Sequence, residues 1–189
     1  MTETNGNVTF ASRQEFMKAL RKNRNMAHAK LTGLDLSRLT LSGVNLLDAS
    51  LAQSQLIGTK LVGANLEQGD LSEANATNAS FVGVNLRQSK LVKAELPDTR
   101  LVGVNLAEAD LTGADMRNSQ LVGVDVRGAD FSDVDTTGAR ARNVDWEKAK
   151  VPPAVLPEPL PAVPPWLPAL FGFITVLLVI FFLRRRRQK

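Results

Sequence analysis

The chain has 189 residues, a formal net charge of +4, no Cys, no Tyr and a single His, His28. Disulfides, thiolate catalysis and Cys-ligated zinc are therefore excluded, and an imidazole-based triad or metal site would have to be built around one residue. Residues 27–150 carry 13 basic and 16 acidic side chains, so the basicity belongs to the two ends and does not mark the central region for nucleic acid.

Residues 1–26 hold five basic and two acidic side chains. Ser12 to Glu15 reads S-x-x-E, and Phe16 and Leu20 follow at i and i+4, which predicts a short amphipathic helix over 13–24. Its apolar side is suited to covering the end of a folded core. Its polar side carries Arg13, Lys18, Arg21, Lys22 and Arg24, which leaves an anionic surface as a second role.

From 27 to 150 the sequence counts in fives. Leu31 to Trp146 gives 24 centres, 16 of them Leu, the others Ala76, Phe81, Met116, Val126, Phe131, Thr136, Ala141 and Trp146. Two residues before the centre stand small or aliphatic side chains such as Ala49, Ala64, Val84, Ala94 and Val104, and no charged residue occupies either column. Two positions in five are thus expected to be buried. On an α-helix, five residues turn about 500°, so successive centres would drift around the surface. In a strand an odd repeat would alternate faces. The chain must bend within every pentapeptide.

A longer period lies over the short one: LSGVN at 41–45, LVGAN at 61–65, FVGVN at 81–85, LVGVN at 101–105 and LVGVD at 121–125. Identity every 20 residues predicts that four pentapeptides close one roughly square coil. Six coils at about 4.8 Å spacing make a rod about 29 Å tall. Ten of the 13 Gly lie two residues after a centre, where a corner would require positive φ. Pro97, one residue after Leu96, is compatible with a corner whose N–H need not join a ladder. The small or polar centres Ala76, Thr136 and Ala141 predict looser packing.

The runs ANLEQGDLSEAN at 64–75 and AEADLTGADM at 107–116 resemble the A(D/N)LxX signature of the pentapeptide repeat family, and the resemblance extends over the whole repeat region. It implies an all-β fold, a right-handed quadrilateral parallel β-helix of about six coils, with centre and minus-two side chains inside. An open solenoid needs caps. Trp146 is the expected plug at the C-terminal end.

Eight of the nine Pro fall within 152–168, predicting an extended, semi-rigid spacer over 151–165 of about 3 Å per residue, with a Pro-rich recognition ligand as the alternative. Residues 166–183 contain no charge, and 18 residues at about 1.5 Å each reach about 27 Å, enough for a bilayer core. A single transmembrane helix is expected there. Trp166 would stand at one interface and Arg184, Arg185, Arg186 and Arg187 of the basic tail 184–189 at the other. The positive-inside rule would hold that tail in the cytoplasm. Residues 1–26 offer no apolar stretch to start export. We give the second point more weight, and expect a membrane protein with its repeat domain cytoplasmic. Pro157, Glu158 and Pro159, the apolar span and the Arg cluster also resemble a surface-sorting tail, which would make the protein surface-sorted instead.

Val62, Val82, Val102 and Val122 share the position after the centre on one side of the square and are expected to form an outward apolar strip, either simple ladder packing or a docking face for a protein partner or a second copy in a homodimer. Asn45, Asn65, Asn85 and Asn105, continued by Asp125 and Asp145, predict an amide ladder. Stacked carboxylates, Asp110 over Asp130 and Asp115 over Asp135, are expected to form a solvated face, with mutual raising of their pKa or attraction of a cation as the alternative. His28 is expected to be a solvated or capping residue. No phosphate loop, metal spacing or nucleophile elbow is present, so neither an enzyme nor a bound cofactor is expected. The reading is a non-enzymatic, membrane-anchored scaffold. The alternative that the resemblance implies is a DNA-mimicking protein that binds a topoisomerase such as gyrase.

Overall fold

The computed structural model describes residues 2–4 and 7–161. Every fifth backbone from His28 to Asn143 lies in the left-handed region, with φ between 52° and 71°, at ten glycines and fourteen other residues. These are the corners. Between corners the backbone groups bond to the coils above and below: Leu66 N donates to Asn85 O at 2.7 Å and Gln68 N to Arg87 O at 2.9 Å. The parallel stack of about six coils follows from 20-residue registers such as Leu61 on Phe81 and Phe81 on Leu101.

Alternation of side chains within each extended segment sends the centre and the minus-two residue inward. Leu31, Leu51, Leu66, Phe81, Leu111 and Phe131 are all fully buried, as is the column of Ala29, Ala49, Ala109 and Ala129. Burying each Leu removes roughly 1.5–3 kcal/mol of exposed apolar surface cost. The small minus-two residues let four walls meet around so narrow an interior.

The register begins one pentapeptide earlier than the sequence count. Met26 is a buried centre followed by the first corner at His28, and the last corner is Asn143, after Ala141. Trp146 is therefore not a centre: it opens a 3-10 turn, Trp146–Lys148, and only half-buried it packs edge-on to Phe131, ring centroids 5.3 Å apart.

The N-terminal cap has two parts. Helix α1, Arg13–Lys22, starts at Ser12, whose side chain accepts from Glu15 N at 3.2 Å, while Glu15 Oε2 accepts from Ala11 N at 3.0 Å. Phe16 and Leu20 are buried in the same core as the coils, and Phe16 meets Phe10 edge to face. Before it, β1 (Thr2–Thr4) and β2 (Asn7–Thr9) form an antiparallel pair that the sequence reading did not anticipate. Lys30 N donates to Val8 O at 2.9 Å, so this segment covers the first rung.

The C-terminal cap corrects the expected spacer. Residues 151–159 do not leave the solenoid. Val151 bridges Asp130, the Thr136 hydroxyl donates to Val155 O, and β9 (Glu158–Pro159) pairs parallel with the last full strand. Thr136 and Ala141 are thus a polar tether and a small seat for this segment, and both are buried, as is Ala76. Prolines suit an outermost strand, which has no further neighbour to receive its N–H groups. The expected transmembrane helix at 166–183, with Trp166 and Arg184 to Arg187, lies outside the described residues. Among the described residues no helix is long and apolar enough to cross a membrane.

A candidate interaction face

The four sides of the coil differ, and the residue before each centre decides how. On three sides it is often Asp or Asn, whose side chain accepts the N–H two residues on: Asn65 from Glu67 at 3.2 Å, Asp70 from Ser72 at 2.9 Å, Asp115 from Arg117 at 3.0 Å. That local bond folds the segment into a turn. On the fourth side no Asp or Asn stands before the centre, and the position after it is held mostly by β-branched Val. Three-residue strands form there and only there in the coils: β3 (Thr40–Ser42), β4 (Lys60–Val62), β5 (Ser80–Val82), β6 (Arg100–Val102), β7 (Gln120–Val122) and β8 (Arg140–Arg142). They make one parallel sheet, extended by β9. We refer to this side as the strand face.

Val62, Val82, Val102 and Val122 stack in register on it and point outward, Val62 with 44% of its surface exposed and the other three half-buried. Beside them runs the column Thr40, Lys60, Ser80, Arg100, Gln120 and Arg140, exposed except for half-buried Ser80. No carboxylate stands on the outward positions of β3 to β8, whereas Glu158 of β9 lies beside Arg140. Among the described residues Lys60, Arg100 and Arg140 have no ion-pair partner.

The other sides contrast with this. On the amide side, the side chains of Asn45, Asn65 and Asn85 each donate to the Asn one coil below at 2.8, 3.2 and 3.1 Å, as expected. Cations there are neutralised: Arg87 bridges Glu67 at 3.2 Å and Glu108 at 2.7 Å, and Arg127 meets Asp125 at 2.6 Å. On the remaining sides Arg117 pairs with Asp115 at 2.6 Å and Lys150 with Asp130 at 3.1 Å, and Lys90 lies between Asp70 and Asp110 in the ladder. Arg87, Arg117, Arg127 and Lys150 are thus paired with carboxylates of the same chain, whereas Lys60, Arg100 and Arg140 on the strand face are not.

The raising that stacking could cause is outweighed at Asp115 and Asp135. Asp115 and Asp135 do oppose one another, but the Arg117 guanidinium holds Asp115 below the usual carboxylate range, and the Thr137 hydroxyl and N–H hold Asp135 there. Asp125 is lowered in the same way by Arg127, and Asp130 by the Ser132 hydroxyl. Direct hydrogen bonds at 2.6–2.9 Å outweigh repulsion through solvent.

His28 occupies the first corner with its Nδ1 3.0 Å from Asp48 Oδ2, on a side chain about half exposed. Among the described residues no group of three or more His, Asp or Glu could hold a metal ion. A groove of about 530 Å³ between α1 and β2 is lined by Val8, Phe10, Ala19 and Met26 together with Glu15, Lys18 and Lys22. The Val column was legible in the sequence. The basic column was not, although the lack of Asp or Asn before every fourth centre is a signal that would have found it.

The family model described as pentapeptide repeats matches residues 29–68, 70–107 and 99–138. No curated protein matches the chain. Among solved structures, the pentapeptide repeat protein Rfr23 of the cyanobacterium Cyanothece 51142 is 25% identical, with 71% of this chain and 99% of that one covered and a TM-score of 0.48. A pentapeptide repeat protein of the Arabidopsis thaliana thylakoid lumen is 32% identical over 56% of this chain and 70% of its own, with a TM-score of 0.30. QnrB1, described as a plasmid-mediated fluoroquinolone resistance protein, is 21% identical over 67% and 69% respectively, with a TM-score of 0.38.

Proposed function

Because the chain belongs to the pentapeptide repeat family, we propose that it is a non-enzymatic interaction scaffold, held at a membrane through residues 166–183 and presenting its strand face to a protein partner. One observation carries this reading: the side that bears the stacked valines is also a flat, continuous sheet on which Lys60, Arg100 and Arg140 have no ion-pair partner among the described residues. A rigid stack with its backbone groups already bonded between coils changes shape little on binding. Its affinity therefore comes from surface chemistry rather than from folding. The membrane span rests on the length and apolarity of 166–183, and a cytoplasmic repeat domain is tested by protease protection of an N-terminal tag in sealed vesicles.

The test is cross-linking of the full chain in its native membranes, with mass-spectrometric mapping of the linked sites, for the wild type and for Val82→Glu with Val102→Glu. The expected result is loss of specific partners in the double variant with the protein still in the membrane fraction. Identical partners in both would remove the strand face. DNA gyrase supercoiling unaltered by the full chain is also expected, since residues 27–150 carry only three more acidic than basic side chains and Glu67, Glu108, Asp115 and Asp125 are paired with arginines.

A further inference from the structure

We propose that the strand face docks an acidic amphipathic helix laid along the coil axis, its apolar stripe on Val62, Val82, Val102 and Val122 and its carboxylates on Lys60, Arg100 and Arg140. This deepens the reading above and rests on it.

The first argument is what the face can offer. The N–H and C=O groups of β4 to β8 are consumed by the rungs on either side. A partner cannot add a strand to this side, so it must meet side chains with side chains. A helix against a sheet is the common way to do that.

The second is spacing. Lys60, Arg100 and Arg140 occur on alternate rungs, because Ser80 and Gln120 stand between them. Two rungs are about 10 Å. Two turns of helix, seven residues at about 1.5 Å, advance about 10.5 Å. Carboxylates repeating every seventh residue along one edge of a helix would therefore meet the three cations in turn. Within each strand the basic and Val columns are two residues apart, about 6.6 Å, comparable to the offset between an apolar stripe and its flanking row on a helix. The four valines span three rungs, about 14 Å, or about ten helical residues.

The third is charge. Lys60, Arg100 and Arg140 are exposed and lack ion pairs among the described residues, whereas Arg87, Arg117, Arg127 and Lys150 on the other sides are paired. Complementarity therefore calls for an anionic occupant. A second copy meeting this one through the same face would bring like charges together, as an isologous contact must. An anionic bilayer fits less well. Interfacial binding draws on inserted Trp, Phe or Leu, and this face has only valines, three of them half-buried.

The experiment uses the full chain in detergent and two labelled peptides of about 18 residues, each with Leu at helical spacing, one with Glu at every seventh flanking position and the other with Lys there. Binding is read by fluorescence anisotropy. The acidic peptide is expected to bind saturably and to weaken as salt is raised, and the basic one not to bind. Lys60→Glu with Arg100→Glu should weaken the acidic peptide at least tenfold and favour the basic one. Lys60→Gln with Arg100→Gln should fall between, with far-UV circular dichroism unchanged in both. Equal binding of the two peptides, or affinity unmoved by charge reversal, overturns the helix. So does a probe at Val82→Cys, the only thiol in the chain, that responds to phosphatidylserine content in reconstituted bilayers and not to the peptide. If Val82→Glu and Val102→Glu abolish native partners while neither peptide binds, the scaffold stands and the acidic helix falls.

Discussion

Gly103→Ala separates backbone strain from packing at a coil corner. Gly103 has φ +60°, and a Cβ placed there would meet nothing within 4 Å. The substitution therefore removes no contact and creates no clash. Its cost is the left-handed conformation of a residue with a Cβ, about 1–2 kcal/mol, less any gain from a stiffer unfolded chain. Leu101, two residues earlier in the same pentapeptide, is fully buried, and Leu101→Ala should cost about 2–5 kcal/mol through lost transfer energy and a cavity. The reverse substitution, Lys93→Gly, acts at an exposed corner with φ 56° and should gain up to about 1 kcal/mol. Denaturant unfolding followed by circular dichroism, with midpoints compared at constant slope, gives all three numbers. The expected order is Lys93→Gly above wild type, then Gly103→Ala, then Leu101→Ala. A Gly103→Ala variant as unstable as Leu101→Ala would mean that the corner is packed, and one clearly more stable than wild type would mean that it is not left-handed. Either result refutes the corner geometry.

Thr136→Val, which removes the hydroxyl that holds Val155 O, should cost about 1–2 kcal/mol and speed proteolytic cleavage within 151–159, read by mass spectrometry of the fragments. Asn65→Asp should cost about 1 kcal/mol near neutral pH, because a carboxylate cannot donate to Asn45 Oδ1 as the amide does. Thermal melts should show the loss shrinking as pH falls and the new acid protonates. Asp115, Asp125 and Asp135 have folded pKa values below their unfolded ones, so the stability they contribute is fully present above the ordinary carboxylate range and is lost as pH falls through the lowered values. Melting temperature should therefore be flat from neutral pH down to about 5 and fall below about 4. A steady fall beginning above pH 5 would contradict that direction. In Arg127→Gln, NMR titration should find the Asp125 pKa higher than in the wild type, because its largest lowering cause is gone.

The coils were readable because a five-residue repeat conflicts with both regular elements, and one large apolar side chain per pentapeptide suffices to mark it. The ends were less readable. The count from Leu31 missed Met26 because the apolar signal there is a lone Met after a basic run, and it admitted Trp146 because that aromatic falls in register although no corner follows it. The hairpin of β1 and β2 had a signal in the Asn5-Gly6 pair, overlooked because the flanking residues are polar. Residues 151–159 read as spacer because Pro density normally means an unpaired chain. What the density could not show is that the last coil presents a waiting edge, with Thr136 to bind a carbonyl and Ala141 small enough to sit beneath Pro159.

The site followed the same division. A column of valines is visible as soon as the 20-residue period is aligned, but a column's meaning depends on what its neighbours do with their charge, and that is set by reach in three dimensions. Arg87 contacts carboxylates 20 and 21 residues away, and Arg117 one only two residues away. Counting charges along the chain sees all of them as equivalent members of a slightly acidic region. The turn chemistry separates them. Asp and Asn before a centre serve both as turn formers and as anionic or polar partners, so the sides that bend acquire the carboxylates that neutralise their own arginines. The strand face has no such residues before its centres, and it keeps a flat sheet on which Lys60, Arg100 and Arg140 have no ion-pair partner among the described residues. Backbone geometry and surface charge are coupled through one position of the repeat. Introducing Asp at that position on the strand face, as in Ser80→Asp, would therefore be expected to weaken the local strand and to neutralise the face at once.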